Sequence, residues 1–256
     1  MSLIGKKLSE IKGYEKRAMF VKFLSNKNLD DLLNGKLYMQ NLGAFIDLEE
    51  KQRKKGQGDR YEGAFVTRGG LTQGFIEGFD GPLFTAQSSE FVMRYEMVRR
   101  IPVFCCATFT ADDLQVVDEN EDNFFVQIKL NEEEKNAFSN DFGDKAVVLP
   151  GELMNILKEH AIKQGFTGIM RRPIYFDYNI YDPIRYEKFE RGDMEIIFWK
   201  DNFFKKQKEF RFAITNHEIE KFMYFEIGSL RERTLIFDSK KIFDEFVFDF
   251  DKNEIV

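Results

Sequence analysis

MFVKFLSNKNLDDLLNGKLYMQNL, residues 19–42, is the stretch from which the fold is read. Its first six residues, 19–24, have the pattern of a strand. Asn28 stands where a side-chain oxygen can cap a short helix over 29–34, and Gly35 stops that helix. Residues 36–40 form a second strand, with Leu37 and Met39 on one face and Tyr38 and Gln40 on the other. A strand, a brief helix, a glycine and another strand therefore open the chain.

The same mixture continues outward. A helix is expected over 44–55, short strands and turns over 63–85, and a helix over 88–100 that Pro102 ends. Strands follow at 103–110 and 124–130, then a helix at 132–138 and a strand at 145–149. An amphipathic helix at 152–164 is closed by Gly165, and residues 169–177 return as a strand. The run 195–206 reads equally as helix or strand. Residues 209–215 form a strand near which 223–227 is expected to pair, and the apolar 242–250 docks on the core. Helices do not alternate regularly with strands, so the fold class is α+β, a mixed or antiparallel sheet flanked by short helices. No Pro- or Gly/Ser-rich linker divides the 256 residues, which are read as one domain with a loosely held lead at 1–13.

Composition narrows the function. Twenty-nine Phe supply a heavy aromatic core. No apolar run reaches the length of a membrane span, and residues 1–13 lack the apolar core of a signal peptide, so no membrane role and a cytoplasmic location are expected. The two cysteines, Cys105 and Cys106, are adjacent and suit a reducing compartment. Net charge is −6, yet residues 1–71 hold 14 Lys/Arg against 9 Asp/Glu. The basic run 51–55 and the acidic run 112–122 are either solvated loops or, for the first, a face for an anionic ligand. With two histidines, His160 and His217, no conventional zinc cage forms and no metal is expected. No P-loop, dinucleotide fingerprint or nucleophile elbow is present, and Asp249-Phe250-Asp251 begins like a calcium loop without its glycine.

Three polar elements interrupt apolar surroundings. In Lys206-Gln207-Lys208-Glu209-Phe210-Arg211-Phe212, a two-residue period places Gln207, Glu209 and Arg211 on one face. That face is a solvated surface with Glu209 paired to Arg211, or a cleft wall. Thr108 and Thr110 share a face of their strand and could brace such a cleft. Lys22 lies between apolar neighbours and must snorkel, pair or face a ligand, with Arg17 as a nearby basic alternative. A fourth, turn-rich cluster, Gly58-Asp59-Arg60-Tyr61-Glu62-Gly63, reads as a loop or as carboxylates of a nucleic-acid enzyme.

The opening unit at 20–42 resembles the entry of ADP-ribosyltransferase-like folds, including the DarT-type toxins. Thr108-Phe109-Thr110 resembles that superfamily's central hydroxyl motif, and Gln207-Lys208-Glu209 its catalytic Gln/Glu-x-Glu motif. The chain is also similar, at residues 36–41 and the Gln-x-Glu-aromatic-Arg run, to uncharacterised proteins of Firmicute genomes and prophages. The resemblance implies an NAD-dependent toxin or a prophage or phage-defence factor. Lys22 or Arg17 would hold the NAD phosphates, Thr108 and Thr110 the nicotinamide ribose, and Glu209 and Gln207 would be catalytic. The acceptor would be a protein or nucleic acid. The superfamily has Arg or His on its first strand where this chain has Lys22. The alternative is a non-catalytic protein-binding module.

Overall fold

The nine residues Pro102–Thr110 form the strand around which the molecule is arranged. In the computed structural model, which describes residues 2–52, 58–87 and 90–252, the chain runs first through β1 (Ala18–Leu24), α1 (Leu29–Leu33), β2 (Lys36–Asn41) and α2 (Leu42–Gln52). A ribbon follows, made of β3 (Ala64–Arg68), β4 (Leu71–Gly74), β5 (Phe84–Gln87) and β6 (Glu90–Arg94). The central strand is β7; β8 (Leu114–Glu119), β9 (Asn123–Ile128), α3 (Glu132–Asp141), β10 (Lys145–Val148) and α4 (Leu153–Lys163) succeed it. Next come β11 (Gly168–Arg171), β12 (Ile174–Phe176), α5 (Pro183–Glu190), β13 (Trp199–Asp201) and β14 (Glu209–Ile214). The chain closes through β15 (Phe222–Glu226), β16 (Leu235–Asp238), α6 (Ile242–Glu245) and β17 (Val247–Asp251).

The main sheet has the order β11-β14-β7-β1-β10-β16, with β2 also on β7 and β15 on β2, and every pairing in it is antiparallel. Only β12 and β13 pair in parallel among the described strands. The class is α+β, as the sequence indicates. One face of the sheet, bearing Phe20, Phe104, Phe210 and Phe212, is covered by α4. Its Leu153, Ile156, Leu157 and Ala161 recur at helical spacing and are all buried. The other face is covered in two parts. Beside β1, residues Val21, Phe23 and Phe109 pack under the β8–β9–β17 sheet, with Phe138 and Phe243. Beside β14, Val103 and Ala213 pack under Trp199, Ile197, Phe198 and the ribbon's Phe65.

Several local expectations are corrected. Residues 90–94 are a strand and Glu96–Arg100 a 3-10 turn, because Phe91 and Met93 pair across to β3 instead of facing a core at helical spacing. The 223–227 segment pairs nearby in the same sheet, on β2 with Met223 opposite Met39, while the edges of β14 are taken by β7 and β11. The ambiguous 195–206 run resolves into a 3-10 turn, β13 and a second 3-10 turn. Asn28 occupies the N-cap of α1 without a side-chain capping bond. Residues 2–13 dock on the body: Leu8 and Ile11 are buried, and Gly5 N–H donates to Val116 O at 2.9 Å. Asp249 and Asp251 alternate along β17. The basic side chains of 51–55 lie outside the described residues. Gly35 is left-handed (φ 78°), and a Cβ there would sit 1.7 Å from Gly228 O, so only glycine fits the start of β2.

Candidate functional site: a buried charge quartet under a forked sheet

β7 pairs with β14 along one edge from Val103 to Ala107. Its other edge is shared by two strands that do not meet: β1 pairs with residues 107–110 and β2 only with Pro102 and Val103. Between them the edge at 104–106 faces a fork. The Lys22 ammonium reaches into this fork, donating to Cys105 O at 2.6 Å and lying 4.9 Å from the Phe104 ring centre. An ammonium has three donors, so two remain for other partners.

A cavity of about 220 Å³ occupies the seam between the two covering clusters. Lys22, Phe23, Cys105, Phe138 and Phe142 contribute to its walls, and Glu62, Lys200, Gln207, Glu209 and Arg211 are its polar lining. A second cavity of about 690 Å³ shares Lys22, Phe23, Tyr38, Gln40, Phe45 and Phe142 with it and adds Lys27, Lys36 and Asp31. Together they form a trough with a charged floor at one end and a lysine-bearing lobe at the other.

The floor is a quartet of two acids and two bases. Arg211 Nη1 and Nη2 grip the Glu62 carboxylate at 2.8 and 3.0 Å, while its Nε and Nη2 reach Glu209 Oε1 at 2.8 and 2.7 Å. Lys200 Nζ donates to Glu209 Oε2 at 2.5 Å and lies 3.5 Å from Glu62. None of the four side chains is more than 8% exposed. Burial opposes the Glu209 charge, but Arg211 and Lys200 more than offset it and hold the carboxyl well below its usual range. Burial likewise opposes the Lys200 charge, and Glu209 and Glu62 overcome it, so this ammonium titrates above its usual range. The Cys105 thiol bonds to Glu209, and burial pushes its pKa up to about 12, far from a thiolate nucleophile.

Backbone geometry supplies the quartet. Gly58 lies so close to α2 that a Cβ would be 2.4 Å from Phe45 O, and the turn it begins delivers Asp59 and Glu62 inward. Asp59 accepts from Tyr61 N–H at 2.9 Å and Asp201 N–H at 3.2 Å, tying that turn to β13, which carries Lys200. Burial and the neighbouring Glu62 raise Asp59 to about 7 against the pull of Lys200 and the two amides. Lys208 has φ 47°, the one non-glycine residue in the left-handed region among those described. It is held there by Asp113 and Glu134 at 2.7 and 3.2 Å, and its carbonyl accepts from Thr108 N–H.

That kink changes the reading of the 206–212 motif. Gln207 ends a 3-10 turn and Glu209 begins β14, so they do not alternate along one strand, yet both line the cavity. Gln207 accepts from Lys200 at 3.2 Å. Glu209 and Arg211 are paired as one expectation had it, but in the interior and not on a solvated face. Lys22 joins them. Thr108 and Thr110 do not line the cavity. Thr108 is buried and alternates with Cys105 and Ala107, which places its side chain on the opposite face of β7. The Thr110 hydroxyl donates to Asp113 at 3.1 Å. Arg17 is exposed and lies over Tyr14, 5.7 Å from the ring centre, and does not line the cavity.

Lys200 and the inward direction of Asp59 and Glu62 escaped the sequence reading. The available signal was Lys200-Asp201 inside Ile196-Ile197-Phe198-Trp199 and Phe203-Phe204, charged residues that apolar neighbours force to find partners. Among the described residues no three His, Cys, Asp or Glu side chains gather as a metal site. No protein-family model, curated protein or solved structure matches the chain.

Proposed function

We propose that the trough binds an NAD-type dinucleotide and that Glu209 promotes transfer of its ADP-ribose to an acceptor. One observation carries this reading: Lys22, Gln207 and Glu209, from separate parts of the sequence, line a common cavity that continues into a lobe bearing Lys27 and Lys36. The combined space is within the range of natural ligand sites, a few hundred to a thousand Å³. Lys22, with Lys27 and Lys36, would take the phosphates. Phe23, Phe138 and Phe142 suit a planar ring, and Glu209, fixed as a carboxylate by Arg211 and Lys200, would stabilise positive charge developing on the ribose as nicotinamide leaves. Gln207 would orient the acceptor. A ribose hydroxyl would displace the Cys105 thiol, the weakest donor on Glu209. Thr108 and Thr110 have no part in this arrangement, and the ribose contact they would have made falls to the cavity wall.

A specific observation favours a second reading, binding without turnover: Glu209 already receives donors from Arg211, Lys200 and Cys105, as a purely architectural carboxylate would. Calorimetric titration with NAD, followed by measurement of nicotinamide release, separates the two. Binding that Lys22→Ala weakens about tenfold or more supports the site. Release that Gln207→Ala and Glu209→Gln reduce by about 10²–10³, with the fold intact by circular dichroism, supports catalysis. Binding without release establishes the second reading, and absence of binding ends both.

A further inference from the structure

The ribbon is two short antiparallel ladders in series, separated on one strand by the left-handed Gly69 and Gly70. Ala64 to Arg68 run opposite Arg94 to Glu90, and Leu71 to Gly74 continue in the same register opposite Gln87 to Phe84. Its base is rooted, with Ala64, Phe65 and Val66 buried. Its distal half is not: β4 and β5 pair only with each other among the described strands, leaving an open edge on each side. Leu71, Phe75, Ile76, Phe79, Leu83 and Phe84 are 46% to 65% exposed. Such a concentration of large apolar side chains on one projection marks an interaction surface.

We infer that the ribbon is a dimerisation arm, covered by the same arm of a second copy lying antiparallel beside it. Area, edges and charge point to this occupant. Taking about half of the 150–250 Å² of an aromatic side chain as exposed, Phe75, Phe79 and Phe84 alone offer roughly 300 Å², to which Leu71, Ile76 and Leu83 add. A standard interface buries about 800 Å² per partner, so an arm and its flanks supply one side of it. An open strand edge is satisfied by an identical edge about a two-fold axis. Residues 69–87 carry Glu77 and Asp80 and no Lys or Arg. At the base of this distal half, exposed parts of Arg60 and Arg68 flank the Glu90 carboxylate. Antiparallel alignment sets each acidic tip beside the partner's cationic base, whereas parallel alignment would set the two acidic tips together. An anionic lipid surface would repel the same tip.

Sedimentation velocity on the full chain, from about 1 to 100 µM, tests the assignment over the affinity range of ordinary dimers. The expected result is a dimer that Phe75→Asp/Phe79→Asp converts to monomer with an unchanged circular dichroism spectrum, since neither side chain is buried in the single chain. Glu77→Lys/Asp80→Lys is expected to raise the dimer dissociation constant about tenfold or more. A wild-type chain that stays monomeric at the top concentration overturns the inference, as does a dimer indifferent to Phe75→Asp/Phe79→Asp. A monomer that pellets with phosphatidylcholine vesicles assigns the arm to lipid instead. A dimer indifferent to the charge reversal overturns the antiparallel arrangement.

Discussion

Replacing Arg211 by Met removes the guanidinium that binds both acids of the quartet while keeping much of its aliphatic volume. Glu62 and Glu209 would then share only the ammonium of Lys200, at 3.5 and 2.5 Å, and Ile197 O would lose a donor at 2.5 Å. Two carboxylates and one cation, nearly without solvent, leave one uncompensated buried charge. Breaking one partner out of such an arrangement costs about 3–5 kcal/mol. For a chain of this size each kcal/mol lowers the melting point by about 2–4 °C, so a fall of roughly 6–20 °C is expected. Urea unfolding of wild type and variant at pH 7, with equal m-values, measures the loss directly. Acidification is expected to narrow the difference, because a proton can neutralise the orphaned acid. Adding Glu62→Met restores a one-to-one pair of Glu209 with Lys200 and is expected to recover most of the stability. A loss under about 1 kcal/mol for Arg211→Met, or no recovery in the double variant, would refute the view that these four charges balance as a unit.

Two further outcomes follow from the same interior. Asp59 has a folded pKa raised to about 7 against an ordinary value near 3.8, so the native state binds its proton more tightly than the unfolded chain. Stability linked to Asp59 is therefore fully present below about pH 4 and is lost as pH rises to about 7, by an amount on the order of 4 kcal/mol. Melting curves between pH 5 and 8 are expected to fall in wild type and flatten in Asp59→Asn; equal slopes would refute the assignment. Burial holds the Cys105 thiol at about 12 and Cys106 higher still, so neither is expected to react with a thiol-specific reagent at pH 8 until the protein unfolds. Fast native labelling would contradict the raised pKa of Cys105, which is partly buried at the cavity wall, or the burial of Cys106.

The sequence made the α+β class readable because its cues are local: Gly35 with its forced backbone, the 3.6-residue spacing of Leu153, Leu157 and Ala161, and the Pro102 boundary. Lys22, Gln207 and Glu209 were legible as site candidates for a similar reason, being polar residues set among apolar ones. What local pattern cannot carry is pairing between distant strands. Nothing near Met223 says that it lies opposite Met39, and nothing near Lys200 says that Glu209 and Glu62 wait for it. Thr108 misled because hydroxyls on alternate residues fit a cleft and a core equally well, and the face is decided by which side of β7 receives α4. The bend at Lys208 was invisible, since lysine seldom takes a left-handed backbone.

The fork beside β7 bears on when the protein comes into being as a working object. The strand waits for neighbours from residues 18–21, 40–41 and 209–213, and the quartet beneath it draws on positions 62, 200, 209 and 211. A chain extended only to residue 200 contains Glu62 and Lys200 but neither Glu209 nor Arg211, and it lacks β14 from the middle of the sheet. Contacts of such long sequence separation form late and slowly. Until residues 209–213 pair with β7, that strand lacks one edge partner and Glu62 lacks its guanidinium, so the sheet and the charge balance beneath it are completed in a single step.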